Sequence, residues 1–136
     1  MGTGTQNYTC ADPTAKPVGN GAIATLTKAN CAVAGGGADD ASVIGNHFFA
    51  DSTTPEFDVA QLGKTQLKKI ADTPSASPAT NVALLKLQAQ AQGTTSNVKE
   101  IYRLETRGGV APADCSGQAP GSTVKVNYTA QYWFFA

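Results

Sequence analysis

The sequence has few charged residues and no excess of either sign. Lys, Arg, Asp and Glu make up 15% of its 136 residues, against about 25% in an ordinary soluble domain. Ten basic residues balance ten acidic ones, so no overall field favours nucleic acid or an anionic membrane as a partner. No apolar run approaches the roughly 18 residues that span a bilayer. We therefore expect no nucleic-acid partner and no membrane span.

The sequence also lacks the motifs that hold common cofactors. The glycines at Gly2 and Gly4 precede a predicted strand, whereas a dinucleotide-binding turn follows a strand and opens a helix. The three cysteines, Cys10, Cys31 and Cys115, include no closely spaced pair that would chelate zinc. We expect no cofactor and no metal. One disulfide is allowed, either Cys10–Cys115 or Cys10–Cys31.

Catalytic groups are scarce as well. His47 is the only histidine, and no Gly-x-Ser-x-Gly elbow supplies a serine for it. A hydrogen-bonded packing role is one interpretation of His47, and ligand binding is the other. Asp51, Glu56 and Asp58 could supply the carboxylate pair of a glycosidase, or they could be solvated charges. The basic cluster of Lys64, Lys68 and Lys69 indicates a solvated strand face.

What the sequence does contain is alternation typical of β-strands. In residues 122–136, apolar side chains occupy every second position, which predicts a strand with one buried face. The members of that face are Val124, Val126, Tyr128, Ala130, Tyr132 and Phe134. The opposite face carries Asn127, which begins an Asn-Tyr-Thr glycosylation sequon, and Asn7 begins a second one. These sequons, together with the cysteines, predict an exported protein.

Further strands follow the same alternation. They are predicted at residues 5–10, 21–27, 42–50, 56–60 and 98–105, with a Gly-rich loop at 34–40. Residues 81–92 have helix-favouring composition, but their leucines and alanines alternate with polar residues, so we predict a strand there. This spacing predicts an all-β, single-domain antiparallel β-sandwich or partly closed barrel with long loops over residues 1–136.

Five blocks of sequence resemble those of a known family. They are residues 4–10 (GTQNYTC), 22–26 (AIATL), 45–49 (GNHFF), 98–112 (VKEIYRLETRGGVAP) and 126–135 (VNYTAQYWFF), with Cys115 between the last two. Together they resemble the secreted fungal and bacterial family called domain of unknown function 3455. The resemblance implies an extracellular location, a Cys10–Cys115 disulfide and a trimmed N-terminal segment, but no agreed activity.

These features lead to three hypotheses for the function. The first is a non-enzymatic, secreted module that binds a cell-wall glycan or another surface protein, with His47, Asp51, Tyr102 and Arg103 as the candidate ligand-binding residues. The second is a small polysaccharide hydrolase that uses the acidic residues named above. The third is a structural protein that self-associates through an unpaired sheet edge.

Overall fold

Eight β-strands make up the fold. The computed structural model describes residues 1–29 and 38–136, and it describes the side chains of these residues except for residues 38–41. The strands are β1 (Gly2–Cys10), β2 (Val18–Ala29), β3 (Ala38–Phe49), β4 (Pro55–Val59), β5 (Gly63–Thr73), β6 (Leu84–Ala89), β7 (Glu100–Gly108) and β8 (Ser122–Phe135). No helix that could cross a membrane occurs within the described ranges.

The eight strands form one closed antiparallel barrel. Each strand pairs with the next along the chain, and β8 pairs with β1. Thr5, for example, is aligned with Ile23 on one side and with Asn127 on the other. The all-β, antiparallel prediction is therefore confirmed, and a closed barrel replaces the sandwich or partly closed barrel. Closure pairs both sides of every strand in the described sheet. The predicted self-association therefore finds no unpaired edge there, and it stays a prediction.

The predicted strands agree with the observed ones except at their ends. Residues 81–92 contain strand β6, Leu84–Ala89, as their alternation predicts, rather than a helix. In the predicted Gly-rich loop, residues 38–40 belong to β3, whereas residues 34–37 lie outside the described residues, as does Cys31. The buried face of β8 is confirmed around Tyr128 and Ala130, which are 2% and 0% exposed.

The main apolar core fills one end of the barrel. It contains seven buried side chains, which are Leu26, Phe57, Val59, Leu67, Leu87, Val98 and Ile101. Six come from β2, β4, β5, β6 and β7, and Val98 comes from the β6–β7 connection. Their inward position follows from the two-residue period of strands. This end is therefore closed by apolar packing.

Small residues line the inner wall where β1, β2 and β8 meet. Ala22, Ala24 and Ala130 are each less than 4% exposed there. Gly2 completes this wall, and a Cβ on it would lie 2.6 Å from the Tyr132 ring. The lack of side-chain volume makes room for Tyr132, so the ring packs directly against the strand backbone.

A disulfide joins Cys10 at the end of β1 to Cys115 in the β7–β8 connection. This is the pairing that the resemblance implies. Because the bond occupies both sulfur atoms, they cannot join His47 in a zinc site. The backbone N–H of Cys115 also donates to the Ala15 carbonyl at 3.1 Å, so two connections at the same barrel end are tied together. For a sequence separation of 105 residues, the chain-entropy model gives a contribution of about 4–5 kcal/mol.

Candidate functional site

The barrel interior contains a cavity of about 300 Å³ that reaches solvent where β3 ends and β4 begins. Thr53 in the β3–β4 connection and Lys69 on β5 form its exposed rim. Apolar and polar side chains line it in similar numbers. They are Ala22, Phe49, Pro55, Leu85 and Leu87, and Gln6, His47, Thr53, Lys69, Arg103 and Tyr132.

Arg103 lies inside the barrel because of its position on β7. Ile101 and Arg103 share the inward phase of the strand, and they are 0% and 8% exposed. The Nε and Nη2 groups of Arg103 donate to the Ala83 carbonyl oxygen at 3.0 and 2.8 Å. The segment that precedes β6 thus fixes the guanidinium at the cavity wall.

A β-bulge after Arg103 keeps that segment in place. Leu104 is aligned with Gln131 and Arg107 with Thr129, so β7 has one extra residue between them. Glu105 lies in this bulge with a φ of 48°, in the left-handed region that non-glycine residues seldom adopt. The bulge allows the Thr106 hydroxyl to donate to the carbonyl of residue 82 at 2.6 Å, next to the carbonyl that Arg103 contacts.

His47 is buried in the wall of the same cavity. It is 4% exposed, and its Nδ1 lies 2.9 Å from the Glu56 carbonyl oxygen. A carbonyl can only accept, so Nδ1 carries the proton and Nε2 is the acceptor of the neutral ring. Phe57 stacks on the imidazole with centroids 4.0 Å apart. Burial lowers the pKa of His47 from 6.5 to about 4, so the ring is neutral at pH 7.

Two tyrosines and a glutamine extend the polar part of the interior. The Tyr128 and Tyr132 hydroxyls lie 2.9 Å apart. Burial raises the pKa of both tyrosines, and the positive charge of Arg103 opposes that rise. The Gln6 side chain lies against the Tyr128 hydroxyl, and its buried amide nitrogen has no hydrogen bond of good geometry within the described residues.

The structure brings together two of the four candidate ligand-binding residues. His47 and Arg103 both line the cavity. Tyr102 does not, because adjacent residues of a strand point to opposite faces, and it lies on the outer surface beside Trp133. Asp51 does not either, because its carboxylate accepts hydrogen bonds within the β3–β4 turn, from Thr53 and Thr54.

The carboxylates that suggest a hydrolase do not line the cavity. Glu56 is 2% exposed, and its carboxylate is already bound by Lys64 at 3.4 Å and by the Gln66 amide at 2.7 Å. Asp58 is exposed on the outer surface of β4. The carboxylate of Asp51 is bound by Thr53 and Thr54 within the β3–β4 turn. Within the described residues, no group of three or more His, Cys, Asp or Glu side chains could hold a metal ion.

The two sequons differ in accessibility. Asn7 is 9% exposed, and its side-chain oxygen accepts a hydrogen bond from Thr5 at 2.8 Å. The buried side chain of Asn7 leaves no space for an attached glycan, so glycosylation of Asn7 is disfavoured in the folded protein. Asn127 is exposed on β8 and stays a predicted glycosylation site.

Three cavity residues were not identified as site residues from sequence. Lys69 was assigned to a solvated face, but it shares the inward phase of Leu67 and reaches the rim of the cavity. Gln6 lies among small and polar residues whose alternation is weak. Tyr132 was placed on the buried face of β8, and its neighbours across the barrel could not be known from that pattern.

The family of the chain follows from its whole length. A family model described as "Protein of unknown function (DUF3455)" matches residues 1–136. The chain belongs to this family. The resemblance carried by the five sequence blocks is therefore confirmed. No curated protein and no solved structure matches the chain, so the chemistry of this DUF3455 barrel has to be argued from its own residues.

The low pKa of His47 predicts how stability depends on pH. Between pH 6.5 and about 4, the unfolded DUF3455 chain binds a proton that the folded chain does not bind, so the free energy of unfolding falls as the pH decreases through this window. The full loss is about 3 kcal/mol at 1.36 kcal/mol per pKa unit. Urea unfolding of wild type and His47→Gln at several pH values measures the free energy of unfolding of each protein. Because the carboxylates of the two proteins titrate alike, their effect cancels, and the difference between the two free energies is the contribution of His47.

His47 gives the only imidazole signal in an NMR spectrum of the protein, because the chain has one histidine. We expect that signal to titrate with a midpoint near pH 4 in the folded protein. A midpoint near 6.5, or equal pH dependence of the two proteins, would contradict the burial of a neutral ring.

Proposed function

We propose that the protein is a secreted, non-enzymatic binding module whose ligand is a small molecule held in the open end of the barrel. The cavity carries this proposal. Small-molecule sites are concave, have mainly apolar walls and place a few polar groups to orient the ligand. Here Phe49, Leu85 and Leu87 supply apolar wall, and His47 and Arg103 supply buried polar groups.

The absence of a catalytic arrangement among the cavity-lining residues favours binding over hydrolysis. A glycosidase needs two carboxylates that face each other across the substrate, and no Asp or Glu of the described part of the chain lines this cavity. His47 has neither a carboxylate nor a nucleophile as its hydrogen-bond partner, since Nδ1 contacts a backbone carbonyl. The cavity can therefore position a ligand, but its walls offer no acid and base pair.

An extracellular location is part of the proposal. The Cys10–Cys115 bond supports it, because disulfides form and persist mainly in oxidising compartments. The exposed sequon at Asn127 supports it as well.

A bulky side chain at the rim tests the binding function. Thr53 is exposed and lines the cavity mouth, whereas its neighbour Ser52 is exposed and does not line it. We expect a panel of small aromatic and aliphatic probes, both neutral and charged, to include binders that shift the His47 signal in NMR titrations. Thr53→Trp should weaken their affinity at least tenfold by blocking entry, and Ser52→Trp should not. Equal affinity in both variants, or no binder in the panel, would contradict the proposal.

A second candidate function is glycan binding on the outer surface of β7 and β8. Tyr102, Trp133 and Phe135 share this outer face, and the last two are 50% and 48% exposed. The rings of Tyr102 and Phe135 meet edge to face at 5.5 Å. Beside them, Lys86 and Glu100 form an ion pair at 3.0 Å that offers polar partners. Exposed aromatic patches of this kind mark interaction sites.

Substitution of the exposed tryptophan tests the second candidate. We expect Trp133→Ala to reduce retention on cell-wall polysaccharide by at least fivefold, because it removes the largest exposed ring of the face. Ile23→Ala is the matched control, since Ile23 is 57% exposed on β2, away from the aromatic face. The idea fails if wild type is not retained, or if both variants lose retention equally.

A further inference from the structure

We propose that the ligand of the barrel cavity is a small monocarboxylic acid whose carboxylate is received by Arg103. This inference rests on the proposed function, because it names the chemistry of the molecule that the same cavity would bind. It goes further than that function, since a cavity of this size could equally serve a neutral or a cationic ligand.

The observation behind this inference is that the charge of Arg103 is buried and has no counter-ion among the described side chains. Its side chain is 8% exposed. The ion pairs within the described residues are Lys64–Glu56, Lys69–Asp72 and Lys86–Glu100, and none includes Arg103. Arginine keeps its charge in proteins, and buried charges are normally paired because their desolvation is expensive. An unpaired buried guanidinium is therefore suited to an anion from outside the chain.

The contact with Ala83 orients the guanidinium but does not neutralise it. Two of its N–H groups, on Nε and Nη2, donate to one neutral carbonyl oxygen. A guanidinium has five N–H donors in a fixed plane. Because the Tyr132 hydroxyl also accepts a hydrogen bond from Arg103, at most two are left for other acceptors. Arg103 is thus held in one position by the backbone while part of its donor surface stays available to a ligand.

The charges around the cavity favour one negative charge over two and disfavour a cation. Among the residues that the structure describes, no carboxylate lines the cavity, so a cationic ligand would meet the repulsion of Arg103 without a compensating attraction. Lys69 at the rim is already paired with Asp72 at 2.6 Å. The single guanidinium balances a carboxylate, whereas a phosphate dianion would bring a second, unbalanced charge into an apolar enclosure.

The rest of the cavity fits an apolar body on the acid. Phe49, Leu85 and Leu87 form the apolar part of the wall, and the volume of about 300 Å³ lies at the lower end for small-molecule sites. Burial of this body would supply non-specific affinity, while the carboxylate would supply selectivity. The expected ligand is therefore a short fatty acid or a small aromatic acid.

Matched pairs of probes test the charge requirement on the wild-type protein. The pairs are benzoate with benzamide and hexanoate with hexanamide, which have similar shapes and differ in charge, and inorganic phosphate and benzylamine are added alone. NMR titration of the His47 signal reports binding in the cavity. We expect each carboxylate to bind at least tenfold more tightly than its amide, because hydrogen bonds to charged groups are stronger than neutral ones. Phosphate and benzylamine should bind more weakly than either acid.

Substitution of Arg103 tests the assignment of the anchor. Arg103→Met should reduce carboxylate affinity at least tenfold and change amide affinity little, because the methionine keeps an apolar stem but no charge. Arg107→Met is the control, since Arg107 is an exposed arginine on the same strand and does not line the cavity. If Arg103→Met does not fold, the wild-type comparison of acids and amides still decides the question.

The outcomes separate this inference from the proposed function. If amides or benzylamine bind in the cavity as tightly as the acids, the carboxylate inference is overturned and the binding function stands. Tight acid binding that Arg103→Met leaves unchanged overturns the assignment of Arg103. If no probe of any charge moves the His47 signal, both proposals fail.

Discussion

Closure of the sheet by the pairing of β1 with β8 is the constraint on which the other features depend. The pairing runs without a register shift from Gly2 opposite Ala130 to Cys10 opposite Ser122. It removes the sheet edges and gives the barrel an interior, so that every second residue of each strand faces inward. An inward charged residue in an open sheet could reach water around an edge. In this barrel Arg103 faces the enclosed cavity instead, where a ligand can approach its charge.

Packing divides the interior into a closed end and an open end. Apolar side chains such as Phe57 and Ile101 fill most of the closed end, where a smaller cavity of about 170 Å³ lies beside Leu26 and Val59. At the open end, the small residue Ala22 leaves space, and the Tyr132 hydroxyl lies against that of Tyr128. The hydrogen bonds from Arg103 to the segment before β6 hold the guanidinium at the boundary of the two ends. The cavity is thus a consequence of side-chain size and strand phase.

The sequence predicts the strands well because alternation is local, and it predicts the site only in part because a site is not local. The phase of β8 correctly placed Tyr128 and Ala130 on the buried face. The same rule applied to β7 places Tyr102 and Arg103 on opposite faces of the sheet, because successive side chains of a strand point to opposite faces. Alternation does not predict which inward-facing residues contact each other across the barrel. That depends on closure and register, so the meeting of His47, Gln6 and Arg103 required the three-dimensional structure.

The central claim is that the buried charge of Arg103, which has no counter-ion among the described residues, is available to a ligand. The most direct measurement is the free energy of unfolding of ligand-free Arg103→Met in urea, beside Arg107→Met as the exposed control. Removal of an unpaired buried charge should leave stability within about 1 kcal/mol of wild type or raise it, because the loss of the Ala83 hydrogen bonds is offset by the relief of desolvation. A loss of about 3–5 kcal/mol would mean that Arg103 is half of a structural ion pair, which would contradict the account.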